Sequence, residues 1–246
     1  MESQFTRHLP VKGTFNIRDL GGYATAAGET RWRRVLRADG LHRIDADGMG
    51  ALIAAGVTTV IDLRHPGEVA SHPNPFSANP AVAYHNVSLF EQLSPTPREG
   101  MDVLLELYRQ ALTHRQEAVA QVLTIIAEAP PQGAVLFHCT AGKDRTGIVS
   151  ALLLAVAGVE AALIVEDYAL TGELIAPMIE EIVADAAARG ADVEAFRPLL
   201  AADPATMAAT IAHLEETYGS ATAYLERIGL SADTIERLRN RLLGDA

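Results

Sequence analysis

The chain has 246 residues, 49% of them hydrophobic, enough to bury a large core in one domain of ordinary size for an α/β enzyme. With 31 acidic against 20 basic residues and a net charge of -11, it is read as neither a nonspecific nucleic-acid binder nor a polybasic membrane binder. There is no bilayer-length apolar stretch and no secretory apolar core in the first ten residues. One cysteine excludes an intrachain disulfide framework, and no Cys/His spacing suggests zinc. The expectation is a cytoplasmic protein without integral membrane segment, metal or cofactor.

Breakers and hydrophobic periodicity alternate as in an α/β fold, and the pattern predicts a central, mainly parallel sheet flanked by helices. The cluster Arg31, Arg33, Arg34, Arg37 and Arg43 reads as a local basic patch, mostly solvated, with Arg37 placed to face an anionic substrate. Strands are predicted over residues 35–38, 57–62, 82–87 and 134–137. Asp45 caps a predicted helix through Ala55 that Gly56 closes, and further helices follow over residues 101–112 and 114–129. The Pro-, Ser- and Asn-rich segment 76–97 is expected to contain mobile loops beside its strand. After Gly158 the chain reads as almost wholly helical. Leu174, Met178, Ile179, Ile182 and Val183 share one face, Met207, Ile211 and Leu214 another, and both are expected to meet the core. Residues 218–229 and 231–243 read as closing helices, and residues 1–246 as a single domain.

The chemistry is concentrated in His138-Cys139-Thr140-Ala141-Gly142-Lys143-Asp144-Arg145-Thr146-Gly147, between an apolar strand and an apolar helix. A strand ending at Cys139 and a helix starting beyond it let the amides from Thr140 to Arg145 point into a turn, where free N–H groups and the helix dipole favour an anion. Gly142 permits backbone conformations closed to other residues, and Arg145 presents a planar fork suited to two phosphate oxygens. These donors also stabilise a thiolate, so Cys139 reads as a nucleophile that attacks phosphorus and leaves as water releases phosphate. Thr146 is placed to donate a hydroxyl hydrogen bond to the departing sulfur, and His138 to orient the start of the loop. Lys143 adds a second positive charge beside the phosphate. Asp144 should be repelled there when ionised, so it either turns outward to bond loop amides or carries a proton, and a brace and an acid remain alternatives.

A carboxylate must also protonate the leaving group and then activate water. Asp62 ends the run Val57-Thr58-Thr59-Val60-Ile61, and parallel strands bring their C-terminal ends to one rim, so Asp62 is the first choice of acid. Arg64 would orient Asp62, touch substrate, or simply lie on the surface. Arg18 and Asp19, before the Gly21-Gly22 turn, are expected to form an ion pair that supports the site. Two readings compete with hydrolysis: a module that binds phosphoryl ligands without turnover, and a rhodanese-like sulfurtransferase.

The string HCTAGKDRTG resembles the cysteine-dependent protein tyrosine phosphatase superfamily, whose signature is HCxxxxxR followed by Ser or Thr and Gly. With Asn16-Ile17-Arg18-Asp19-Leu20-Gly21-Gly22-Tyr23 it is similar to the bacterial tyrosine and phosphoinositide phosphatase branch that includes a secreted mycobacterial enzyme. The resemblance implies a phosphatase-like fold and hydrolysis of phosphotyrosine, extending to phosphoserine, phosphothreonine and phosphoinositides, with the loop lysine accompanying lipid activity. It supports Asp62 through the family's DLR segment. It also implies a helical lid, expected within residues 171–216, a packing or bonding role for Asp167 and Tyr168 behind the site, and the option of export without a cleavable signal.

Overall fold

The computed structural model describes residues 5–91, 93, 102–188 and 190–244. Its elements in chain order are β1 (Arg18–Asp19), β2 (Ala24–Thr25), β3 (Gly28–Glu29), β4 (Val35–Ala38), α1 (Ala46–Ala54), β5 (Val57–Asp62), α2 (Pro66–Ser71) and β6 (Ala83–Asn86). They continue with α3 (Val103–His114), α4 (Gln116–Glu128), β7 (Ala134–His138), α5 (Asp144–Val156), α6 (Ala161–Leu174), α7 (Ile179–Ala188), α8 (Val193–Phe196), α9 (Pro204–Tyr218), α10 (Ala221–Arg227) and α11 (Ala232–Leu243). The main sheet runs β1-β4-β7-β5-β6, all parallel except the edge strand β1. The four predicted strands are its four parallel members. β1, the β2–β3 hairpin and α2 were not anticipated, because two-residue strands and a six-residue helix leave no periodicity to read. Residues 92 and 94–97 of the expected mobile segment, and Met101 at the start of a predicted helix, lie outside the described residues.

β7 is buried along its whole length, as expected of a central parallel strand covered on both faces. Val135 and Phe137 join the larger core, while Ala134 and Leu136 join a second core on the opposite face of the sheet. The larger core surrounds α5, which is buried on nearly every side and therefore shows no amphipathic stripe. Helices α3, α4, α6, α9, α10 and α11 contribute to that core, and Met207, Ile211 and Leu214 place α9 in it. A third, smaller cluster packs Ile175, Met178, Ile182, Val183 and Leu200 around Ala141 of the cysteine loop. The side-chain cap anticipated from sequence, Asp45 on α1, is formed, and Ser231 caps α11. Among the described residues no helix is long and apolar enough to cross a membrane, and no three His, Cys, Asp or Glu side chains group to hold a metal.

Candidate active site

β7 carries the chain into Cys139, and α5 begins at Asp144. The loop between them turns its carbonyl oxygens outward, where each meets a donor. Asn16 Nδ2 donates to the carbonyls of Ala141 (2.9 Å) and Gly142 (3.3 Å), an Arg37 guanidinium N–H to that of Gly142 (2.7 Å), and the Gly40 amide to that of Thr140 (2.9 Å). Among the described residues no acceptor takes the amides of residues 140–145, which leaves a ring of donors for an anion. The turn requires glycine at one position. Gly142 has φ +68°, and a Cβ there would lie 2.5 Å from the Ala38 carbonyl oxygen.

The outward side rests on a closed polar network. Arg18 reaches Asn16 Oδ1, the Asp167 carboxylate (3.3 Å) and carbonyl (2.8 Å), and Thr171 Oγ1 (3.2 Å). Arg37 pairs with the other Asp167 oxygen, and the Tyr23 hydroxyl donates to Asp167 at 2.8 Å. Burial pushes the Asp167 carboxyl up, but Arg37 and Arg18 outweigh it and hold the group at about 2. Two expectations change here. Arg37 is buried under the loop and does not face substrate. Arg18 and Asp19 do not pair with each other, since neighbours on a strand point to opposite faces; Asp19 instead accepts the amides of Gly21 and Arg33, both at 2.9 Å. Asp167 and Tyr168 lie behind the loop and hydrogen-bond there, Tyr168 through the Tyr108 hydroxyl.

On the open side, Arg145 forms a two-pronged bond with Glu68, at 2.6 and 3.0 Å, and donates to Thr140 Oγ1 at 3.2 Å. The Phe90 ring lies 5.7 Å from its guanidinium. Burial opposes the charge on Glu68, yet the bonds from Arg145 and Thr140 hold its carboxyl at about 2. Burial likewise opposes the charge on Arg145, and its attraction to Cys139, Glu68 and Asp144 more than offsets that. Glu68 was not singled out from sequence. Its local signal is Pro66 followed by Glu68, the first and third positions of α2, where Glu68 closes a capping box with His65.

Lys143 and Asp144 diverge from expectation. Lys143 is fully buried and its ammonium donates to the carbonyls of Leu199 (2.6 Å) and Ala201 (3.0 Å), and lies 2.9 Å from Asp144 Oδ1. Its charge therefore ties the loop to the chain beyond α8 rather than facing a phosphate. Asp144 Oδ1 also accepts the Tyr108 hydroxyl, and Oδ2 has no donor among the described residues. The Thr146 hydroxyl is buried without a hydrogen bond among the described residues, so the expected bond to the Cys139 sulfur is not formed in this structure.

Asp62 lies at the C-terminal end of β5, but its carboxylate faces inward and is fully buried. It accepts Arg64 Nε (2.8 Å), Arg64 Nη2 (2.6 Å), Asn74 Nδ2 (3.3 Å) and the Tyr84 hydroxyl (3.1 Å). Burial opposes its charge, but Arg64 and the other donors hold the carboxyl well below the usual carboxylate range. Arg64, buried in this cluster, is no surface residue. Asn74 Nδ2 also donates to His138 Nε2 (2.8 Å), so the ring carries its proton on Nδ1 and donates it to the Cys139 carbonyl (3.0 Å). Burial favours that neutral ring, and its Nδ1–H bond ties His138 to the first peptide of the loop.

A buried thiol at the end of a central parallel strand, followed by unpaired amides and an arginine fork, is the arrangement of a phosphatase that works through a cysteine. The comparisons agree: a sequence model described as "Tyrosine phosphatase family" matches residues 9–244, and the chain belongs to that family. It is an enzyme with protein tyrosine phosphatase activity. A tyrosine-protein phosphatase of Nostoc commune is 38% identical over 84% of this chain and 73% of its own length. The triple specificity protein phosphatase PtpB of Mycobacterium tuberculosis is 30% identical over 97% of this chain and 99% of its own. Among solved structures, P. aeruginosa TpbA aligns with a TM-score of 0.39 at 21% identity, covering 73% of this chain and 96% of that one.

Proposed function

We propose that the enzyme hydrolyses phosphotyrosine through a cysteinyl-phosphate on Cys139, and that Asp144 rather than Asp62 exchanges the proton with the leaving group and the water. The observation that carries this reading is the run of unpartnered amides at residues 140–145 directly after the buried thiol, with Arg145 at its end. Substrate phosphate would take the place of the Glu68 carboxylate on the guanidinium fork, a geometry that suits both anions. Asp144 is favoured because it adjoins the loop, is partly exposed and keeps one oxygen without a donor. Asp62 is sealed among four donor groups that favour its ionised form and serves as a brace for Arg64. The relative that is named a triple specificity phosphatase supports a range extending to phosphoserine and phosphothreonine; phosphoinositide head groups are the further substrate class we assign.

Residues 175–188 and 190–201 act as the lid in this reading. Support comes from their own apolar cluster on Ala141 and from three polar ties, Lys143 to the carbonyls of Leu199 and Ala201, Arg43 to Glu181 (2.7 Å) and His72 to Asp185 (3.7 Å). The remainder of the expected lid, α9, is packed in the main core. A reducing compartment protects a thiol nucleophile from oxidation, which supports a cytoplasmic location.

The test is phosphate release from phosphotyrosine, phosphoserine and phosphothreonine peptides and soluble phosphoinositides. Cys139→Ser should lower release by at least about 10⁴-fold while leaving phosphate bound; substantial residual turnover would remove Cys139 from the nucleophile role. Asp144→Asn should slow poor leaving groups far more than activated aryl phosphates, and the same pattern in Asp62→Asn instead would return the acid to Asp62. Vanadate should alter hydrogen exchange across α7, and unchanged protection there would count against the lid.

A further inference from the structure

At the end of the sheet opposite the cysteine loop, where the parallel strands begin, three arginines meet. Arg34 immediately precedes β4, the turn at residues 129–133 precedes β7, and the two strands pair from Val35–Val135 onward. Arg31 and Arg241 line a cavity of about 400 Å³ there, with Gln132, Arg237, Asn240 and Glu128 among others, and Arg34 sits beside it on the carbonyl of Pro131, which also lines the cavity. That volume exceeds a single phosphate group and falls in the range of small-molecule sites.

The charge balance is what sets this place apart. Every other deeply buried arginine of the site region has a carboxylate: Arg18 and Arg37 share Asp167, and Arg64 has Asp62. Arg237, on the cavity wall, is neutralised by Asp233. Among the described residues no carboxylate comes within ion-pair distance of Arg31, Arg34 or Arg241, and Glu128, although it lines the cavity, reaches none of them. Arg34 has one carbonyl, that of Pro131 at 3.0 Å. Arg241 is 8% exposed and binds the carbonyls of Gly133, Ala129 and Pro130, and its Nε is buried without an acceptor. Carbonyl dipoles offset such a charge only in part. Consistent with this, burial and then the neighbouring Arg31 push the Arg34 guanidinium below its ordinary value, and burial followed by Arg34 and Arg31 does the same to Arg241. The chain carries 31 acidic residues, and among the described residues none of them is placed against these three arginines.

We infer that the cavity beside Arg31, Arg34 and Arg241 is a second anion site, which binds a phosphate-bearing small molecule with two or more negative charges. Guanidinium forks match phosphoryl oxygens in pairs, and a bound dianion would relieve the repulsion among the three. The site lies at the far end of β7 from Cys139, so its ligand is held and not hydrolysed. It would clamp the turn before β7, the start of β4 and the end of α11, whose Leu242 carbonyl already accepts the Arg31 amide at 2.6 Å.

Calorimetric titration with inorganic pyrophosphate tests this on the full chain. Unmodified protein should bind two equivalents, one at the cysteine loop and one here. Carboxymethylation of Cys139, the only cysteine, fills the loop with a carboxylate and should leave one. In the Arg31→Ala/Arg34→Ala protein that remaining equivalent should bind at least tenfold more weakly, while the fold by circular dichroism and turnover of the unmodified variant stay unchanged. The exposed pair Lys12→Ala/Arg227→Ala removes the same charge elsewhere and should bind as the parent does. No remaining equivalent in the carboxymethylated protein, no loss in the Arg31/Arg34 variant, or equal loss in the control pair would overturn the inference. Binding that appears only after Asp245→Asn would also overturn it, because the occupant would then be the chain's own carboxylate.

Discussion

Arginine–carboxylate pairs stand on both sides of the cysteine loop, and they differ in how far water reaches them. Behind the loop, the side chains of Arg18, Arg37 and Asp167 are each 1% exposed. In front, Arg145 and Glu68 are 13% and 28% exposed. A sealed pair is a fixed part of the scaffold, since parting it would leave bare charges in a dry interior. A pair at the rim can part, because water and an incoming anion replace the lost partner. The loop thus has an immobile back that orients its carbonyls and an exchangeable front that meets substrate.

The largest expected effect lies at the back. Asp167→Ala strands two buried guanidiniums and should lower unfolding free energy by about 3–5 kcal/mol in urea titrations; a loss below about 1 kcal/mol would mean the loop does not rest on this network. Acid should separate the two sides next. Asp167 falls from 3.8 unfolded to about 2 folded, so its stabilisation is complete above pH 4 and disappears as pH drops through about 2. That amounts to about 2 kcal/mol. Glu68, lowered from 4.5 to about 2, acts in the same direction over a similar window, with a smaller effect because water screens it. Stability measured from pH 5 to 2 should accordingly flatten more in Asp167→Asn than in Glu68→Gln, and the reverse order would break the comparison.

Smaller still is Glu68→Gln at neutral pH. It removes the carboxylate that substrate phosphate must displace from Arg145 and should lower KM several-fold, with stability changed by less than about 1 kcal/mol. A large stability loss with KM unchanged would make Glu68 part of the scaffold. Thr140→Val removes one hydroxyl bond to Glu68 and should shift unfolding by about 0.5–1.5 kcal/mol. A shift above about 3 kcal/mol would show that the front is locked as tightly as the back.

Local chemistry made the four parallel strands, the loop and one helix cap readable in advance. β4 and β5 are buried, mostly apolar or β-branched runs with clear ends, and Asp45 caps as its type suggests. Side-chain direction was not readable. Asp62 was placed correctly at a strand end, but its inward turn depends on Asn74 and Tyr84, 12 and 22 residues away. Lys143 carries a charge that seemed suited to phosphate, and its actual acceptors are main-chain carbonyls 56 and 58 residues later, which leave no trace in residue type. Glu68 sits in a helix too short for periodicity, although Pro66 and Glu68 together mark its first turn.

The shared carboxylate of Asp167 has a consequence for the order in which the molecule can mature. Arg18 and Arg37 are separated from it by 149 and 130 residues, and the loop they support is made before it. A nascent chain that has emerged only through Arg145 holds the nucleophile and both bracing arginines, yet lacks the one anion that lets those arginines lie together. Competence must therefore wait for α6, and the loop is set in its working shape late in synthesis, by long-range closure rather than by its own sequence.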